Sequence, residues 1–267
     1  MMPQDRADTE GAARHAVITG GTQGLGFAIA RQLVREGCEG VVLAGRDPAK
    51  GEQAVAALKA LGGNAHFVAA DVADVEDCRM LIDRAVALLG PLDALVNAAA
   101  SCDRGSLLDT TPQVWARLMD VNARGPFFTM QAFVRQALDH RIPASIVNIV
   151  SMVIHCGQSY LAPYSASKAA LANITKNTAQ AHRHDRIRCN AIACGWMDTP
   201  GEDATQKRFH NAPDDWLEKA EAAQPFGQLV KPAQVAPLAT YLLSPRSGVL
   251  TGAIIDCDQN VAGAYPE

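Results

Sequence analysis

The stretch Thr19-Gly20-Gly21-Thr22-Gln23-Gly24-Leu25-Gly26 decides the fold. It follows a short apolar run, His15 to Thr19, that reads as a strand, and leads at once into an apolar helical pattern from Gly24 to Glu36. Glycines in such a turn let backbone N–H groups approach a pyrophosphate, whose charge the helix N-terminus stabilises. Gly20, Thr22, Gln23, Gly24, Leu25 and Gly26 are therefore the first candidate contacts for a dinucleotide. A plain strand-to-helix turn is the ordinary alternative.

Outward from this loop, short apolar segments alternate with longer helical patterns, the signature of repeated βαβ units and a parallel sheet. Further strands are expected at Gly40 to Ala44, Ala65 to Ala69, Ala94 to Asn97, Ser145 to Val150, Arg188 to Ile192 and Ala253 to Asp256. Helices are expected near Pro48 to Leu61, Val75 to Leu89, Pro112 to Asp139, Tyr164 to His182 and Pro232 to Leu243. The total is seven strands in one domain spanning 1–267, a length that fits a single large α/β unit. Segment 200–228 breaks the rhythm with polar and charged residues around Phe209 and Trp216, and is expected to be a substrate lid carrying short helices.

Composition narrows the function. A net charge of −4 with both signs dispersed argues against nucleic acid and anionic membranes as partners. The start, Met1 to His15, is polar and has no apolar signal core, and no run approaches a membrane span, so a cytoplasmic protein is expected. Seven cysteines, an odd number without a Cys-x-x-Cys pair, suggest neither a disulfide framework nor a zinc ribbon. No metal site is expected, and His182 with His184 suits a helix end better than a metal.

The chemistry is concentrated in Pro163-Tyr164-Ser165-Ala166-Ser167-Lys168, with Ser151 upstream. On a helix, positions i and i+4 share a face, so the phenol and the ammonium project together. A free phenol has a pKa of about 10, and acting as a base near neutrality requires lowering it by roughly 4 kcal/mol. One cation about 4 Å away at an effective dielectric of about 20 supplies roughly that amount. The bland alternative is a rim tyrosine and a solvated lysine.

At the end of the second strand, Ala44-Gly45-Arg46 lacks the acid that would bind ribose hydroxyls at that place. Gly45 removes a repelling carboxylate, and Arg46, with Lys50 nearby, offers a guanidinium to a 2′-phosphate. NADP(H) is expected ahead of NAD(H), with dual use left open. Asp71, with Val72 beside it, is a candidate adenine contact, although an aspartate there could equally cap a helix.

Thr19 to Gly26, Asn97-Ala98-Ala99-Ala100, Asn122, Ser151, Tyr164, Lys168, Gly195 and Thr199, in this order and spacing, resemble the single-domain short-chain dehydrogenase/reductase family over nearly the whole chain. The resemblance implies a Rossmann-type doubly wound parallel sheet with helices on both faces, a nicotinamide cofactor and a homotetramer or homodimer. It also implies roles. Tyr164 would be the general acid/base, Lys168 would lower its pKa and hold the nicotinamide ribose, Ser151 would bond the substrate oxygen, and Asn122 would anchor a proton-relay water. Asn97, Gly195, Met197 and Thr199 would join the cofactor contacts. The ordinary readings are a strand-end turn for Ser151, a backbone-bonding helix residue for Asn122 and a helix cap for Thr199.

This chain departs from the family pattern at Asn97-Ala98-Ala99-Ala100, where the family usually has Asn-Asn-Ala-Gly, and at Cys194-Gly195, where it usually has Pro-Gly. The ending Asp256-Cys257-Asp258-Gln259-Asn260 replaces Asp-Gly-Gly. On the substrate side the candidates are His155, Cys156, Gln158, Trp196, His210 and Trp216, with Ser151 and Tyr164. Their polarity points to a small alcohol or carbonyl of sugar or polyol type. The expected function is an NADP-preferring oxidoreductase; the alternative is a non-catalytic NADPH sensor or scaffold on the same fold.

Overall fold

A computed structural model describes residues 13–264; most of the polar start on which the signal-peptide expectation rests lies outside them. The element order is β1 (His15–Thr19), α1 (Gly24–Arg35), β2 (Gly40–Gly45), α2 (Pro48–Lys59), β3 (Ala65–Ala69), α3 (Val75–Leu89), β4 (Ala94–Asn97), α4 (Pro112–Met119), α5 (Gly125–His140), β5 (Ala144–Ser151), α6 (Ala162–His182), β6 (Ile187–Cys194), α7 (Pro200–His210), α8 (Trp216–Ala222), α9 (Pro232–Leu243) and β7 (Ile254–Cys257). The strands form one parallel sheet in the order β3-β2-β1-β4-β5-β6-β7.

Both faces of the sheet are covered. Ile18, Leu43, Val96, Val147 and Ile192 point to a layer made by α1, α2 and α9. Their chain neighbours Val17, Val42, Leu95, Ile146 and Ala191 point to the opposite layer, made by α3, α5 and α6. Residues alternate between the faces of a strand, so a strand covered on both sides must be apolar throughout. Ile29 and Leu33 of α1 and Phe133 of α5 are fully buried, each worth about 1.5–3 kcal/mol of transfer free energy. Strand order reverses between β1 and β4, which opens a crevice at the carboxyl ends of the strands.

One expected element differs. Pro112 to Asp139 is not one α-helix: α4 and α5 are joined by a single π turn, Asp120–Arg124. Gly125 follows that turn because a Cβ there would lie 2.3 Å from the Val72 carbonyl. The 200–228 segment carries two short helices, α7 and α8, as expected of it. Among the described residues no helix is long and apolar enough to cross a membrane.

Candidate active site

The carboxyl ends of the strands border one cleft of about 1210 Å³. Its first end is the glycine loop. Gly20 has φ +64°, and a Cβ on it would stand 2.7 Å from the Ala99 amide nitrogen; a Cβ on Gly26 would stand 2.3 Å from the Gly20 carbonyl oxygen. The loop is therefore packed too closely for any side chain at these two positions. Gln23 is the N-cap of α1 but makes no side-chain cap bond, and the first turn carries no acid. The leading N–H groups of α1 face the cleft without a protein acceptor from the cap, which fits an anionic pyrophosphate.

Thr22, Gln23, Gly24, Leu25, Gly45, Arg46 and Lys50 line this end. Lys50 Nζ donates to Gln23 Oε1 at 3.3 Å, so the glutamine tethers a cation at the loop. Asp47 also lines the cleft and is an acid beside Arg46 that the sequence reading passed over. Its carboxylate caps α2, accepting from the Ala49 and Lys50 amides. Asp71 and Val72 border the adjacent wall. The Asp71 carboxylate accepts from the Ala73 amide, while the cap of α3 belongs to Asp74.

At the other end, β5 delivers Ser151, and α6 delivers Tyr164 and Lys168 to the same cleft. Ser151 Oγ also accepts from the Val153 amide at 3.4 Å, so its strand-end cap and its position in the cleft coexist. Lys168 is buried, and its Nζ donates to the Ile149 carbonyl at 2.8 Å. Burial holds the Tyr164 phenol well above its ordinary pKa; neighbouring Cys102 pushes the same way, and a hydrogen bond with Ser151 pulls against them. Burial lowers the lysine as well.

Asn122 does not line the cleft. From the π turn its amide holds both backbone groups of Ser101, accepting from the Ser101 amide at 2.8 Å and donating to the Ser101 carbonyl at 2.9 Å, and it donates to Ser167 Oγ at 3.0 Å. Asn97 is also outside the cleft; its amide donates to Asn148 Oδ1 at 2.8 Å in the core. Gly195, Met197 and Thr199 line the cleft beyond β6. Thr199 Oγ1 caps α7 at the Glu202 amide.

The substrate-side candidates divide. Cys156, Gln158, Trp196 and His210 border the cleft. His155 turns away and meets Asp256 at 2.8 Å at the sheet end. Trp216 is buried at the start of α8, stacked on Trp196 with ring centres 6.1 Å apart and bonded to Asp203. Cys194, in place of the family's proline, is buried in register with Cys257, and burial pushes its thiol up to about 12, which makes it unreactive. The unusual ending has a use: Gln259 accepts from the Phe226 amide and donates to the Gln228 carbonyl, fastening the end of the 200–228 segment beside the last strand.

Sequence reading missed Cys102, Arg104 and Glu202. All three line the cleft, and Cys102 neighbours the phenol. Only their nearness to the Asn97 motif and to Thr199 could have drawn attention to them. Among the described residues no group of three metal-ligating side chains forms.

Residues 20–260 match the family model described as enoyl-(acyl carrier protein) reductase. The chain is 34% identical over 252 residues to a cis-4-hydroxycyclohexanecarboxylate dehydrogenase of Sinomonas cyclohexanicum, covering 92% of this chain and 96% of that one. It is 32% identical to an NADP-dependent (R)-specific alcohol dehydrogenase of Lentilactobacillus kefiri, covering 89% and 92%. A crystal structure of a variant actinorhodin polyketide ketoreductase with NADPH superposes with a TM-score of 0.88 at 26% identity, covering 99% of this chain and all of that one. Nothing among these relatives supports a non-catalytic scaffold. Matched by this family model and by these relatives along nearly its whole length, the chain belongs to the short-chain dehydrogenase/reductases and is an NAD(P)-dependent oxidoreductase.

Proposed function

We propose that the protein interconverts a small polar alcohol and its carbonyl compound, with NADP(H) preferred over NAD(H). The observation that carries this reading is the convergence of Ser151, Tyr164 and Lys168 in one cleft whose far end is an uncapped helix N-terminus flanked by Arg46 and Lys50. The nicotinamide, when bound, donates or accepts the hydride. In the direction of reduction Tyr164 gives its proton to the substrate oxygen, which Ser151 holds by a hydrogen bond; oxidation reverses the transfer. Lys168 keeps a positive charge beside the phenol and holds the cofactor ribose. Asn122 fixes the backbone of Ser101, which lines the cleft, and so acts as a positioning residue.

Two relatives support the cofactor preference, one named NADP-dependent and one solved with NADPH. The hydroxycyclohexanecarboxylate dehydrogenase, whose substrate is a small polar alcohol, supports the substrate class. The working form is a cytoplasmic homotetramer or homodimer of single-domain subunits, a reading carried by the family and checked by light scattering and subcellular fractionation. Nicotinamide absorbance is followed with polyols, sugars, hydroxy acids, their carbonyl counterparts and an enoyl thioester, with both cofactors in parallel. Turnover of a polar alcohol or ketone with NADP(H) is expected. Turnover of the enoyl thioester alone, or with NAD(H) alone, would replace the reading.

A further inference from the structure

Arg104 is held in the cleft with donors to spare. It lies on the loop after β4, which two backbone bonds lock to the start of α6: Gly105 amide to Tyr160 carbonyl at 2.9 Å, and Ala162 amide to Gly105 carbonyl at 3.0 Å. Gly105 also lets the loop close on itself, since a Cβ there would meet Thr110 Oγ1 at 2.4 Å. The guanidinium is thus anchored two residues from Cys102, the thiol beside the Tyr164 phenol. Its side chain is only 15% exposed.

Of the five guanidinium N–H groups, Nε donates to His210 Nε2 at 3.1 Å and Nη1 donates to the Cys102 carbonyl at 2.9 Å. Nη2 has no hydrogen-bond acceptor among the described residues. Its nearest carboxylate oxygen, Glu202 Oε1, is 3.8 Å away and already accepts from Trp196 Nε1 at 2.8 Å and Gln206 Nε2 at 2.7 Å. A largely desolvated guanidinium short of acceptors favours an incoming anion. The ion-pair network around it sets Arg104, Arg117 and Arg208 against Asp103 and Glu202, three positive and two negative, so the network itself leaves one positive charge. One unit of charge and a planar fork suit a monocarboxylate.

We propose that Arg104 reads a carboxylate on the substrate, so that the preferred alcohols are hydroxy acids and the preferred carbonyl compounds keto acids. This rests on the carbonyl-reducing reading above and specifies its substrate class. Glu202 sets the strength of the clamp by sharing the guanidinium, and His210 and the Cys102 carbonyl hold the fork in orientation.

Levulinate and its methyl ester test the assignment, since they share a ketone and differ in charge. With NADPH the wild-type protein is expected to prefer the acid by at least about 10-fold in kcat/KM. Arg104→Met should lower the acid-to-ester ratio about 30-fold, chiefly through KM for the acid, and Glu202→Gln should raise it. A side chain that only latched the lid would lower acid and ester together; an unchanged ratio in Arg104→Met therefore overturns the proposal. Should that variant not fold, Arg104→Lys, which keeps the charge and loses the fork, is expected to give an intermediate ratio.

Pentanoate, which cannot be reduced, separates this proposal from the reaction itself. It should raise the melting temperature of the wild-type protein with NADPH and fail to do so in Arg104→Met, while methyl pentanoate distinguishes neither protein. That pattern supports the clamp even where neither ketone turns over, and pentanoate without effect on the wild type overturns it.

Discussion

The Nζ of Lys168 stands 5.9 Å from the centre of the Tyr164 ring while donating to the Ile149 carbonyl of β5. A fixed acceptor on the strand thus sets the distance between ammonium and phenol, instead of leaving it to a flexible side chain. Both groups share one desolvated volume, and burial favours the neutral form of each.

Tyr164→Phe removes the exchangeable proton and keeps the ring. Turnover is expected to fall about a thousandfold, with the NADPH dissociation constant changed by less than about threefold. Nicotinamide absorbance and fluorescence titration measure the two separately, and retained turnover would move the proton transfer to another group.

Lys168→Met should raise the melting temperature while abolishing activity, because a buried ammonium is replaced by an apolar side chain of similar length. The pH dependence follows from proton counting. The folded lysine has a pKa below its ordinary 10.5, so the unfolded chain binds more protons, and wild-type stability rises as pH climbs toward that value. The advantage of the variant is therefore largest at pH values well below the ordinary lysine value and shrinks as pH climbs toward 10.5. Above the ordinary phenol value of 10.0, Tyr164 acts in the opposite sense, since the unfolded chain ionises first. Scanning calorimetry of both proteins across this range checks the sign; an advantage that grew with pH would refute it.

Arg46→Asp places a carboxylate at the mouth of the cleft beside Asp47 and Lys50. Affinity for NADPH should drop by about 10-fold or more and that for NADH by much less, because the 2′-phosphate alone meets the lost guanidinium. Equal losses by titration would show that Arg46 does not contact that phosphate.

Asn122→Ala leaves the Ser101 amide and carbonyl without partners. Each unpaired buried group costs about 1–3 kcal/mol, and about 1 kcal/mol lowers the melting temperature of a chain this size by about 2–4 °C. A fall of at least roughly 4 °C is expected by thermal denaturation. A fall below about 1 °C would mean that water replaces the side chain.

Elements dominated by period and punctuation were legible in the sequence: β1 with its glycine loop, and α6 with Tyr164 and Lys168 on one face. Residues whose position depends on partners far along the chain were not. His155 leaves the cleft because Asp256 captures it, Asn97 stays in the core with Asn148, and Trp216 is held by Trp196 and Asp203. Arg104 was invisible for the same reason, since His210 and Glu202 lie about a hundred positions away on α7. Burial of the phenol was not legible either, because Cys102, which neighbours it, comes from the loop after β4.

The π turn at Asp120–Arg124 puts one residue more into a helical turn than α geometry does, which rotates everything after it by about 100° relative to everything before it. One continuous stretch of chain thereby presents two differently aimed contact faces: α4 packs on α6, and α5 packs on α3. Deleting any single residue from the turn would restore uninterrupted phase and turn one of those faces from its neighbour. The chain at this point is thus sensitive to length even where it tolerates substitution, and the side chain placed at the phase change is Asn122.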